Sequence, residues 1–188
     1  LQQDDEKTLP RIYFDKHLYV PILLKSNKIA GVVTADGRNI KAKACILATG
    51  HSARDIYELL NKKGIALEAK LFAMGVRVEH PQELIDTIQY HGKKNEYLPA
   101  ASYSLVEQVN NRGVYSFCMC PGGQIVPSST AVNEIVVNGM SASRRNSPFA
   151  NAGIVVQITS NDLIPFQKYG ALAGLAMQQQ LEQLCFRQ

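Results

Sequence analysis

Along the first fifty residues the apolar positions gather into three short tracts, each bounded by polar or turn-forming residues. Tyr19 to Lys25, Lys28 to Thr34 and Ile40 to Ala48 have strand length and predict a β-meander. Ser26-Asn27 marks the first bend and Asp36-Gly37 the second, because glycine reaches the positive φ of a tight hairpin at no steric cost. Pro21, which has no backbone N–H, belongs near a sheet edge. After Gly50 the period changes to that of a helix. Ala53, Ile56, Leu59 and Leu60 fall on one face, Ser52 stands where a cap belongs, and Asp55 completes a capping-box pattern. Gly64 suits the left-handed position just past the last turn.

Alternation returns from Leu71 to Glu79, with Phe72, Met74, Val76 and Val78 on one side and Gly75, Arg77 and Glu79 on the other. This predicts a strand with a core face and a polar face. Pro81 then fits the first position of a short helix whose Leu84, Ile85 and Ile88 would point inward. Further strands are predicted over Ala101 to Val106, Val114 to Cys120, Gln124 to Val126, Glu134 to Asn138 and Gly153 to Thr159. Asn111-Arg112-Gly113, Pro121-Gly122-Gly123 and Ser128-Ser129 separate them. A last helix from Tyr169 to Phe186 carries an imperfect stripe of Leu172, Leu175, Ala176, Leu184 and Cys185. The sum is an α+β fold: a β-meander and a mostly antiparallel sheet with about three helices.

The chain has 188 residues, close to the usual ~100 to 200 of one domain, and 46% hydrophobic content is ample for a core. Its 20 basic residues give a net charge of +4 but are scattered, with nothing longer than Lys62-Lys63, Lys93-Lys94 or Arg144-Arg145, which argues against nucleic acid as a partner. Apolar runs stay well short of the roughly 18 residues that suggest a membrane span. Cys45, Cys118, Cys120 and Cys185 form no disulfide framework. A soluble protein in the reducing cytoplasm is expected. The opening residues 1 to 8 are polar and charged, as in a loose terminus.

Three places could carry chemistry. At the first, Cys45-Ile46-Leu47-Ala48 leads through Thr49-Gly50 into the helix. Ligands of open α/β sheets sit beyond the carboxyl ends of strands, where a helix N-terminus offers free N–H groups. Gly50 would let a ligand approach the backbone, His51 and Ser52 could donate hydrogen bonds, and Arg54 could meet a phosphate or an acidic side chain. An ordinary strand-to-helix connection uses the same residues, and both readings stand. At the second, Cys118 and Cys120 would share a strand face with Cα atoms about 6.7 Å apart, the outer limit for a disulfide. Packing as small hydrophobes is favoured over a redox pair, and with no second spaced pair no metal site is predicted. The adjoining Gly122 and Gly123 could let a ring or phosphate lie against the peptide, or could simply form a hairpin turn. At the third, Arg77, Glu79 and His80 could face an acidic substrate or another domain, although an Arg-Glu pair on a solvent face is commoner. Asn138-Gly139-Met140-Ser141 with Arg144-Arg145 fits an anion-contacting loop or a solvated one equally.

The meander followed by Ala48-Thr49-Gly50-His51-Ser52-Ala53-Arg54-Asp55 is similar to the end of the FAD domain in two-domain flavoprotein oxidoreductases. Together with Gly75 to Pro81, Tyr115 to Gly123, Asn138 to Ser141 and Ala150-Asn151-Ala152, it resembles the bacterial FAD-dependent, NAD(FAD)-utilising dehydrogenases. The resemblance covers residues from about 28 to the end. It implies that residues 1–50 hold the meander and last strand of an FAD-type domain and 51–188 the substrate-side domain. It also implies FAD in a full-length parent, with Thr49, Gly50, His51, Ser52, Arg54, Gly122 and Gly123 on the cofactor side. The Gly-x-Gly-x-x-Gly turn that cradles pyrophosphate does not occur here, nor does the Gly-Gly segment expected after the last helix. The chain is therefore expected to bind no FAD and turn nothing over alone, and its partner would be the N-terminal FAD-binding region of the same parent. The rival reading is a non-enzymatic interaction domain.

Overall fold

The computed structural model describes residues 22–26, 28–34, 36–129 and 131–188; the polar opening, Tyr19 to Pro21 and the Asn27 half of the first bend lie outside them. The chain divides into two compact units, Leu1–His51 and Ser52–Gln188.

In the first unit β1 (Ile22–Lys25), β2 (Lys28–Val33) and β3 (Asn39–Lys41) form an antiparallel meander in that order. Lys25 pairs with Lys28 across the first bend. At the second, Gly37 takes a φ of 82°, its N–H donates to the Thr34 carbonyl at 2.8 Å, and Thr34 N–H donates to the Arg38 carbonyl at 2.9 Å. The third strand is shorter than its apolar pattern predicts. It ends at Lys41, residues 42–50 join no ladder, and Ile46 is 93% exposed. A continuous apolar run suits a strand buried on both faces between neighbours. No strand among the described residues supplies them.

The second unit opens with α1 (Arg54–Lys62), whose Ala53, Ile56, Leu59 and Leu60 are the half-buried face predicted for them. Its start differs: Ala53 is the cap residue and no side chain caps the helix, so the Ser52/Asp55 capping box does not form. Its end is as predicted, with Gly64 at φ 69°, Gly64 N–H donating to Asn61 and Ile65 N–H to Leu60.

The main sheet is antiparallel, in the order β4-β9-β6-β5, from β4 (Ala73–Pro81), β9 (Phe149–Gln157), β6 (Arg112–Cys120) and β5 (Val106–Val109). The α+β class is thus observed. β5 and β6 are joined by Asn110-Asn111, both left-handed at φ 50° and 60°, so Arg112 and Gly113 belong to the strand and not to the turn. Residues 101–105 are not strand; Leu105 instead accepts from Ser116 N–H and donates to its Oγ. β7 (Gly123–Ser128) and β8 (Val136–Ser141) form a hairpin packed on one face of the sheet.

α2 (Gln82–Tyr90) follows β4 directly, with Pro81 as its cap residue. Its buried side chains are Gln82, Ile85 and Asp86, while Leu84 and Ile88 are more than half exposed. Ile85 is buried as predicted, but the rest of the apolar face is displaced, because Gln82 and Asp86 sit on the inner side, where they bond the Gly122 turn and the Ala101 backbone. The last helical region is also two pieces: a 3₁₀ segment, Ser160–Leu172, broken at Gly170 (φ 55°), and α3 (Ala173–Phe186). Of the predicted stripe, Leu172 ends the 3₁₀ segment while Leu175, Ala176, Leu184 and Cys185 lie on α3, so the single helix expected from Tyr169 begins instead at Ala173. The core gathers Ile158, Leu163 and Ala173 against Phe72, Met74, Val156, Phe166 and Met177.

Candidate functional site

Thr49 and Gly50 lie in the unpaired stretch that ends the first unit, with Gly50 at φ 81° and open space where a Cβ would stand. His51 closes that unit and Ser52 opens the second. Arg54 is the first residue of α1, and its guanidinium is already engaged. It pairs with Glu134 and, at 2.5 Å, with Glu182 of α3, and all three side chains are at most 16% exposed. Gln183 Nε2 adds a donor to Glu134 at 3.3 Å. The acidic-side-chain alternative for Arg54 is therefore the one built here. Removing one member of such a group leaves an uncompensated buried charge, which costs about 3–5 kcal/mol.

Pro121, Gly122 and Gly123 are all buried at the entry to the hairpin. Gly122 N–H donates to Gln82 Oε1 at 2.7 Å and its carbonyl accepts from Ser147 N–H at 3.3 Å. The space a Cβ would need is held by the Arg145 carbonyl at Gly122, and by Met140 O and Ser141 Oγ at Gly123. The close backbone approach that glycine permits is thus made to the chain's own loops. Gln82 joins this turn to the rest of α2: its Nε2 donates to Asp86 Oδ1 at 2.9 Å and to the Ala101 carbonyl at 3.0 Å, and Ala101 N–H donates to Asp86 at 2.8 Å. Burial pushes the Asp86 carboxyl up, but the paired Lys94 ammonium, the Ala101 N–H and the Gln82 amide outweigh it and hold the pKa below its ordinary value.

The second polar centre is Arg77 on β4. Its Nε donates to Asn151 Oδ1 at 2.7 Å, and its Nη2 donates to the Cys118 carbonyl and lies 3.4 Å from Cys120 Sγ. Asn151 is wholly buried on β9, and a side chain at Gly139 of β8 would collide with both Arg77 and Asn151. The arrangement depends on a bulge in β6. Phe117 pairs with Gly153 and Cys120 with Asn151, three steps against two, and Cys118 absorbs the extra residue at φ 45°. The two-residue alternation that would place Cys118 and Cys120 on one face is therefore interrupted. Cys118 is exposed, Cys120 is half-buried, and all four cysteines are free thiols. Tyr103 is pushed up in pKa by burial, against the opposing charge of Arg77, and its ring lies 5.5 Å from that of His80. Buried Asn151 Nδ2 and His80 Nε2 have no hydrogen-bond partner among the described residues.

Arg77 and Arg54 were both visible in the sequence; Asn151 was quoted only within the Ala150-Asn151-Ala152 block and given no role, and Glu134, Gln82 and Asp86, which hold Arg54 or the glycine turn, were not singled out. Asn151 had a signal, as a polar residue inside the apolar run from Phe149 to Val156. No group of three or more His, Cys, Asp or Glu able to hold a metal occurs among the described residues, and none of their helices is long and apolar enough to cross a membrane.

Residues 71–188, from just before β4 through α3, match the family described as FAD-dependent protein, C-terminal domain-like. The chain belongs to this family. In this C-terminal-domain-like protein the matched span contains the whole Arg77 centre and the Gly122 turn, whereas Thr49 to Arg54 precede it. A Clostridium beijerinckii protein, described as uncharacterised, is 43% identical over 169 residues, which are 88% of this chain and 31% of that protein. The chain thus spans about a third of the length of the relative it matches.

Proposed function

We propose that this chain is the C-terminal, substrate-side part of a FAD-dependent dehydrogenase that works with a nicotinamide nucleotide in the cytoplasm. The family match over residues 71–188 carries the reading. The unpaired apolar stretch before Thr49 supports it, since a tract of that composition is built to lie between neighbouring strands.

When bound in the parent, FAD supplies the hydride-accepting chemistry. The cofactor side is assigned to Thr49, Gly50, His51 and Ser52, where Gly50 leaves its backbone open. Arg54, held by Glu134 and Glu182, positions the first turn of α1. Gly122 and Gly123, packed against the Arg145 and Met140 backbone, hold the hairpin that covers Arg77. The Gly-x-Gly-x-x-Gly turn that cradles pyrophosphate does not occur in the sequence, so the 188-residue chain is inactive without the FAD-binding region of its parent. The test is the visible spectrum of the full-length protein. A flavin spectrum that bleaches on adding NADH or NADPH is expected; a colourless full-length protein that cannot be reconstituted with FAD would overturn the reading and favour a non-enzymatic interaction domain.

A further inference from the structure

The face of the main sheet that carries the even-numbered residues of β4 is covered at both ends and open between them. At one end Met74 and its partner Val156 lie in the core formed with Leu163, Phe166, Ala173 and Met177. At the other, His80 stacks near Tyr103 and its partner Ala150 on β9 is wholly buried, as is Ala152 opposite Val78, so the opening lies toward the outer, β4 side of the face. Between these ends Val76 is 66% exposed and Val78 42% exposed. The other face is not open, because Arg77 reaches Asn151 beneath Gly139 and Glu79 accepts from Ile125 N–H of the hairpin.

β4 is also the outer strand of its sheet among the described residues, and it is nine residues long. Outer strands usually carry outward charges, a bulge or a short length that blocks pairing. Here Arg77 and Glu79 are turned to the hairpin, and the bulge is on β6. Exposed Glu79 and Pro81 guard only the far end of the strand, which leaves its Val76 to Val78 stretch as an apolar edge.

We propose that Val76, Val78 and the outer edge of β4 dock the remainder of the parent chain, the part that carries the FAD-binding region. This rests on the reading that the chain is a portion of a longer flavoprotein. Two arguments select that occupant. The matched relative has more than two-thirds of its length outside the region this chain covers, so there is ample polypeptide to cover the strand. Two valines and one strand edge are also small beside the ~1,200–2,000 Å² of a stable intermolecular interface, whereas a covalently linked segment docks at high effective concentration.

The experiment is thiol labelling of the full-length parent carrying Val76→Cys, read at the peptide level so that native cysteines do not interfere. The folded protein should label at least about tenfold more slowly at this position than the same protein unfolded in urea. Protection below that level overturns the proposal, and so does protection that vanishes on roughly hundredfold dilution, which assigns the surface to a second copy. Val78→Cys reads the same surface should Val76→Cys fail to fold. The flavin spectrum of the same sample separates the two readings. A colourless protein with protected Val76 removes the FAD reading and leaves the docking surface, and a yellow protein with freely labelled Val76 does the reverse.

Discussion

Asp162 stands at the start of the 3₁₀ segment, where it accepts from Thr159 N–H at 2.7 Å and from both terminal nitrogens of Arg112, at 2.6 and 3.1 Å. The Arg112 guanidinium, followed by the Thr159 N–H and hydroxyl, holds its carboxyl well below the usual carboxylate range. A group whose pKa is depressed on folding stabilises the fold above its unfolded value, about 3.9 for Asp, and loses that effect as the pH falls through the folded value. Asp162→Asn is therefore expected to lower stability at neutral pH, with the gap from wild type closing as the pH falls below about 4. Urea unfolding of both proteins at several pH values checks this, and a gap that is constant with pH would remove the ionic explanation. At this scale the sequence was partly legible. An acidic partner for Arg54 was one of two anticipated outcomes, yet its identity was not, because Glu134 and Glu182 lie 80 and 128 residues away along the chain.

Many strands and helices were legible from local signals, although the equally local Ser52/Asp55 capping box did not form. The Asp36-Gly37 bend, the α1 apolar face and the Gly64 terminus all follow from nearest neighbours in the chain. Elements went astray where a tertiary contact overrode the local pattern: α2 buries Gln82 and Asp86 in place of Leu84 and Ile88, and β6 spends an extra residue at Cys118 to bring Cys120 beside Arg77. The Gly122 turn shows how such contacts constrain a connection. A side chain there would meet the Arg145 carbonyl and would also have to adopt φ +52°, whereas Gly92 has φ +73° but open space around it. Gly92→Ala should cost about 1–2 kcal/mol for the left-handed backbone alone. Gly122→Ala should cost clearly more, by a further ~1–3 kcal/mol of overpacking. Parallel urea melts give the comparison, and equal losses would mean that the Arg145 loop moves aside without cost.

At the scale of the molecule, the core cluster, the Arg54 ion group, the Gln82–Asp86 network and the Arg77 centre all lie within Ser52–Gln188. A chain beginning at Ser52 should consequently fold by itself, with one cooperative urea transition and a stability within about 0.5 kcal/mol of the same unit in the 188-residue chain. A broad or absent transition, followed by circular dichroism, would show that the first unit is required. Local pattern alone was enough to indicate the α+β class, the meander and most strand positions, because turns and alternation are written over a few neighbouring residues, whereas the family was reached through the resemblance of whole motif blocks. Folding alone decided that Ile46 stays exposed, that the Gly122 amide is taken by Gln82, and that β4 presents Val76 and Val78 to solvent. Each of these depends on which distant segment arrives opposite a residue. Apolar periodicity records that a surface is meant to be covered; only the assembled chain shows what covers it and where the covering stops.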